Sequence, residues 1–128
     1  MLHKLKFRVL SEKLAVCQLA AGSPVPEWAL AQGFFCVTQT AEELSIVCAE
    51  SRVPAGVRVE RDWVALKLDG PFPFAMTGVL TSFLQPLAEA GVPIFVVSTF
   101  DTDYVLMKRD KLEAAIKALD AAGHELAA

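Results

Sequence analysis

The chain predicts an α+β fold, an antiparallel sheet with its helices on one face. Three observations point there. Residues 63–68 alternate, with Val64, Leu66 and Leu68 on one side and Trp63, Ala65 and Lys67 on the other, which is strand periodicity. Val79, Leu80, Phe83, Leu84, Leu87 and Ala88 then recur at 3-4-3 spacing, a helical stripe. Two apolar runs, 94–97 and 104–107, flank a polar corner, and a second helical stripe follows at Leu112, Ile116 and Leu119. The order is strand, helix, strand, strand, helix, with a short edge strand over 124–126. Because parallel crossovers are right-handed, this order gives an antiparallel sheet with both helices on one face.

The elements before these follow the same logic in shortened form. Lys4, Lys6 and Arg8 alternate with Leu5, Phe7 and Val9, a half-exposed strand, and residues 11–13 turn it into a second run over 14–21. Pro26 suits the first position of one or two helical turns over 26–31, closed by Gly33. Residues 34–38 and 44–49 form a hairpin through 40–43. Ser-Arg-Val-Pro-Ala-Gly at 51–56 breaks the pattern and divides the chain into modules 1–55 and 56–128. In the second module the first helix is expected over 74–90, ended by Gly91 and kinked by Pro86. Asp110 is expected to cap the last helix, with Glu113 completing a capping box and Gly123 ending it.

Bulk properties narrow the function. The 128 residues carry a net charge of −3, which argues against nucleic acid, whose phosphates demand a basic face. Hydrophobic residues make up 54%, and mean hydropathy is +0.42, yet no run reaches the roughly 18 apolar residues of a membrane span. The excess is expected to cover a buried sheet and a surface shared with another subunit, which favours a homo-oligomer, a dimer in the simplest case. The basic start has no continuous apolar run, so no secretory signal is expected there. Cys17, Cys36 and Cys48 lie in apolar runs and read as reduced thiols of a cytoplasmic protein. His3 and His124 stand at opposite ends and there is no Cys-x-x-Cys, so no metal site and no cofactor are expected. No Ser/His/Asp set, no Cys–His pair and no phosphate loop is present, so an enzyme is not expected.

The polar corner concentrates the remaining candidates: Ser98, Thr99, Phe100, Asp101, Thr102 and Asp103. Such residues fold tight turns by bonding to their own backbone. They also exceed what a hairpin connection needs. Across from them, free N–H groups at the start of the first helix suit an anion such as an α-carboxylate. Gly78 there either lets a ligand approach the backbone or simply permits close packing.

The string Ser-Thr-Phe-Asp-Thr-Asp-Tyr-Val-Leu at 98–106 resembles the Ser-Thr-Tyr/Phe-x-x-Asp-Tyr/Phe-x-Leu-Val signature of ACT modules in the cytosolic arginine-sensor family and its small bacterial relatives. The resemblance covers the whole chain. It implies two ferredoxin-like βαββαβ ACT modules in tandem, the first degenerate, and a regulatory protein that binds an amino acid at a module or subunit interface. It implies a site with Gly78, flanked by Thr77 and Val79, facing Thr99, Phe100 and Asp103, with backbone contacts from Pro93 and Ile94. Asp103 matches a ligand-contacting aspartate of the signature. The sensors also carry an acidic residue near the glycine, where this chain has only Thr77, Thr81 and Ser82, so a smaller or neutral amino acid fits as well as arginine. The alternative is an oligomerising interaction module in which Phe100, Asp101 and Asp103 face a partner protein.

Overall fold

A computed structural model of the chain describes residues 3–30 and 33–127. They divide into two compact units. One joins the residues up to Ser11 with those from Val64 onward, and the other runs from Glu12 to Trp63. The division differs from a cut at 55/56 because the first strand packs with the later unit. Phe7, at the centre of that strand, is 1% exposed in the later unit's core.

The larger unit contains β1 (Lys6–Val9), the end of β5 (Arg58–Leu68), α1 (Val79–Glu89), β6 (Phe95–Ser98), β7 (Asp103–Lys108), α2 (Leu112–Ala121) and β8 (Glu125–Leu126). From β5 onward the order is βαββαβ, as predicted. The strands lie in the order β6-β7-β5-β1-β8. β6 and β7 pair antiparallel from Phe95↔Leu106 to Ser98↔Asp103, and β1 pairs antiparallel with β5 through Phe7↔Leu68. One pair departs from the expected antiparallel sheet: β8 runs parallel to β1, with Lys6 opposite Glu125. β1 thus occupies the place between β5 and β8.

The helices share one face of this sheet. Phe7, Val64, Leu66, Leu68, Val105 and Met107 from the strands form one cluster with Val79, Phe83 and Leu87 of α1 and Ala115 and Leu119 of α2. Phe7 meets Phe83 edge-on, with centroids 5.4 Å apart. Such a cluster removes most of each side chain from water, roughly 1.5–3 kcal/mol for each large apolar residue.

Two helix starts differ from expectation. α1 begins at Val79, not at 74, because Gly78 sits at φ 81° and Pro71 and Pro73 hold the preceding segment out of helix. α2 is entered through a 3-10 turn, Arg109–Lys111, which puts Lys111 at the cap position with no side-chain bond. Asp110 lies within that turn, so it and Glu113 do not form the expected capping box. Pro86 does lie inside α1, and Gly91 follows its end at φ 74°.

The smaller unit has β2 (Leu14–Ala20), β3 (Cys36–Gln39), β4 (Glu43–Ala49) and the first part of β5, in the order β3-β4-β2-β5. The predicted β3–β4 hairpin forms, with Cys36 opposite Val47 and Gln39 opposite Leu44. The helical stub predicted over 26–31 is a single 3-10 turn, Glu27–Ala29, and Ala31 lies outside the described residues. Ala15, Cys17, Ala29, Leu44, Ile46 and Cys48 make the core. A bulge interrupts the β2–β5 ladder between Leu14 and Val16, and nearby Asp62 takes φ 71°. Its N–H donates to Glu50 Oε1 at 2.6 Å, and its carboxylate lies 3.6 Å from Lys13 Nζ. Among the described residues no helix is long and apolar enough to cross a membrane.

Candidate functional site

The polar corner joins β6 to β7, and much of its polarity is spent on the turn itself. Thr99 N–H donates to the Thr102 carbonyl at 2.8 Å, and the Thr99 hydroxyl donates to the same oxygen at 3.1 Å. Thr102 N–H returns a bond to Thr99 Oγ1. Buried Thr102 donates its hydroxyl to the Leu68 carbonyl at 2.8 Å, which fixes the corner to the end of β5. The two threonines therefore have the turn role that their residue type favours. Ser98 and Asp103 face each other across the last ladder pair, where Ser98 Oγ–H donates to Asp103 Oδ1.

The loop after β5 runs beside this corner. Phe72 N–H donates to the Asp101 carbonyl at 2.8 Å, so the two loops are tied through backbone. Gly70 makes that approach possible. A Cβ placed there would stand 2.8 Å from the Asp101 carbonyl oxygen and 3.1 Å from Thr102 Cβ.

Between the loops lies a cleft of about 270 Å³. One side is Phe72, Pro73, Phe74 and Met76 with the start of α1 from Gly78 to Thr81, and the other is the corner from Ser98 to Asp103. Among the described residues its charged groups are two carboxylates, Asp101 and half-buried Asp103, and no lysine, arginine or histidine lines it. The rings of Phe74 and Phe100 meet across its mouth at 84° with centroids 5.1 Å apart, although they are 76% and 80% exposed.

Hydrogen bonds hold the α1 start rigid. The Gly78 carbonyl accepts from Ser82 N–H at 3.0 Å and from Ser82 Oγ–H at 2.7 Å. His3 N–H donates to Ser82 Oγ at 2.7 Å, and His3 Nε2 lies 2.9 Å from the Thr77 carbonyl. The first N–H groups of a helix have no acceptor within it, so this end presents donors and a partial positive charge. The cleft thus has a helix start on one side and the Asp103 carboxylate on the other.

The structure brings Gly78, Val79, Thr99, Phe100, Asp101 and Asp103 together around the cleft. Thr77 adjoins it without lining it. Pro93 and Ile94 lie at the far end of β6, where Ile94 packs against the core, so neither reaches the cleft. Sequence reasoning missed Gly70, Phe74 and Met76. For Gly70 the signal is its place before a proline, directly after the 63–68 strand. For Phe74 and Met76 it was an apolar side chain every second residue in a segment assigned to helix.

Comparisons with known proteins agree with this architecture. The ACT-domain family model matches residues 58–121, and a second family model, described as an N-terminal domain, matches 12–56. The solved structure of protein Atu0741 from Agrobacterium tumefaciens superposes with a TM-score of 0.93 at 41% identity, covering 98% of this chain and 93% of that one. The ligand-free regulatory subunit of aspartate kinase from Thermus thermophilus shares the fold at 13% identity, with a TM-score of 0.63 over 89% of this chain and 96% of that one. Human CASTOR3P is 32% identical over 60% of this chain and 56% of its own length. The bovine cytosolic arginine sensor for mTORC1 subunit 1 is 28% identical over 67% of this chain and 30% of its own. The chain therefore spans little more than half of one curated relative and less than a third of the other. With the family model matching half the chain on the βαββαβ unit, this protein belongs to the ACT-domain family.

Proposed function

We propose that this is a regulatory ACT protein that binds an amino acid in the cleft between Gly78 and Asp103. The observation that carries the reading is the convergence of the α1 start and the Asp103 carboxylate on one cavity. Backbone N–H groups would receive the α-carboxylate and Asp103 the α-ammonium through a charge-assisted hydrogen bond. The relatives support it: one is named as an arginine sensor and another as a regulatory subunit of aspartate kinase. In the same proposal the protein is a cytoplasmic homodimer without catalytic activity or cofactor, the Glu12–Trp63 unit is a reduced ACT-like module, and a neighbouring module or subunit seals the cleft. Regulation then reduces to unequal affinity of the ligand for two arrangements of the protein. Thermal-shift measurements against the twenty amino acids test it. A rise in melting temperature is expected for at least one of them, abolished by Asp103→Ala. A shift that survives Asp103→Ala would refute the site.

One observation favours a second reading. Phe74 and Phe100 expose most of their rings beside Met76, itself 43% exposed. An apolar lip of this kind is also what a protein partner covers, with Phe100, Asp101 and Asp103 at its centre. Silence across the amino-acid panel would favour that alternative.

A further inference from the structure

Resting on that reading, we propose that the cleft selects amino acids with uncharged, apolar side chains, Asp103 holding the α-ammonium while Phe74, Met76 and Phe100 receive the side chain.

The lining decides the selectivity by what it lacks. An acidic side chain would find two carboxylates, Asp101 and Asp103, and no cation among the described residues that line the cleft. Like charges at such range repel, so glutamate and aspartate are disfavoured. A basic side chain fares little better. Once Asp103 is paired with the α-ammonium, the remaining carboxylate is Asp101, which is exposed and whose attraction water screens. The guanidinium of arginine would lie against Phe74, Met76 and Phe100 with no buried acid to pair it. A cation–π contact at exposed rings is small, so the guanidinium gains little there.

An apolar side chain meets none of these penalties. It would cover two aromatic rings that are 76% and 80% exposed and already held edge to face at 5.1 Å. The 270 Å³ of the cleft leaves room for a branched or aromatic group. Replacing a methyl by an isobutyl or benzyl group there is expected to tighten binding on the order of ten- to fiftyfold, the gain that follows from the extra apolar surface removed from water.

Isothermal titration of the full chain with L-leucine, L-phenylalanine, L-alanine, L-arginine and L-glutamate tests the assignment. Leucine or phenylalanine is expected to bind at least tenfold tighter than alanine, and tighter still than arginine or glutamate. The double substitution Phe74→Ser and Phe100→Ser, at exposed positions that the core does not need, is expected to bring the leucine-to-alanine ratio near one. Asp103→Asn is expected to weaken all ligands together. If arginine or glutamate binds tightest through Asp103, or if the ratio survives loss of both rings, the selectivity is overturned while amino-acid binding stands. If none of the five binds, the apolar selectivity is overturned, and silence across all twenty amino acids overturns the site itself.

Discussion

His124 points its Nε2 at the Ser82 carbonyl at 2.8 Å, the carbonyl that Pro86, having no N–H, leaves without its helical donor. On the ring's other side Leu5 N–H donates to Nδ1 at 3.0 Å, so the proton resides on Nε2 and the imidazole is neutral. The ring is 4% exposed and packs against Phe83. A proline that would open the helix is thus accommodated by a histidine from the start of the last strand. His124→Ala is expected to strand two buried polar groups, at a cost of about 2–4 kcal/mol in urea unfolding. Adding Pro86→Ala to that variant returns a donor to Ser82, and about 1 kcal/mol should be recovered. Strict additivity of the two substitutions in a double-mutant cycle would show that they do not share the carbonyl.

Gly70, where the loop after β5 meets the polar corner, is expected to tolerate no side chain. Its Cβ would press on the Asp101 backbone oxygen at 2.8 Å, and backbone cannot swing aside as a long side chain can. Gly70→Ala should therefore cost about 1–3 kcal/mol of stability through overpacking. It should also break the Phe72–Asp101 bond between the loops. Loss of protection at the Phe72 amide in hydrogen exchange would report this directly, and unchanged protection would contradict it.

The cysteines give a pH prediction. Cys17 and Cys48 are each 1% exposed, and burial, with Cys17 beside it, pushes the Cys48 thiol up to about 11. Burial also raises Cys17. Both raised groups stay protonated in the fold while the unfolded chain ionises. Their contribution is complete below the ordinary thiol range and is lost as pH climbs through it toward 11. The wild type should lose on the order of 2 kcal/mol or less over that span relative to Cys48→Ala, read from unfolding midpoints. At pH 8 an alkylating agent should label native protein at half-buried Cys36 alone.

Asp62 stands at φ 71°, where a side chain other than glycine is strained. Its ion pair with Lys13 is largely in water and contributes little. Asp62→Gly is accordingly expected to keep stability within about 0.5 kcal/mol, whereas Asp62→Val should lower it by about 1–2 kcal/mol. Thermal unfolding of the two variants decides it, and equal losses would remove the backbone from the explanation.

Period and turn chemistry made most of the larger unit legible. Val64, Leu66 and Leu68 reached the core face as their alternation predicts, and all three are fully buried. The loop before α1 was misread because Phe74 and Met76 continue an apolar pattern that only the left-handed Gly78 interrupts, and a glycine's φ is not written in its identity. Asp110 carries a genuine capping signal, yet an intervening 3-10 turn moved the cap to Lys111. At the cleft, the corner motif led to Asp103 and Phe100. Gly70 and Phe74 escaped because their roles depend on two loops about thirty residues apart coming together, which no local spacing encodes.

Because β1 sits between β5 and β8, its outer edge stays unpaired until the last segment of the unit has been synthesised. Leu5 and Phe7 offer their carbonyls to Glu125 and Ala127, partners that leave the ribosome some 120 residues later. A nascent chain must therefore carry a bare ribbon edge, with Lys4, Lys6 and Arg8 as its guard against adhesion to other chains, until residues 125–127 have been made. Removing the pairing of residues 125–127 would return the folded unit to that sticky condition.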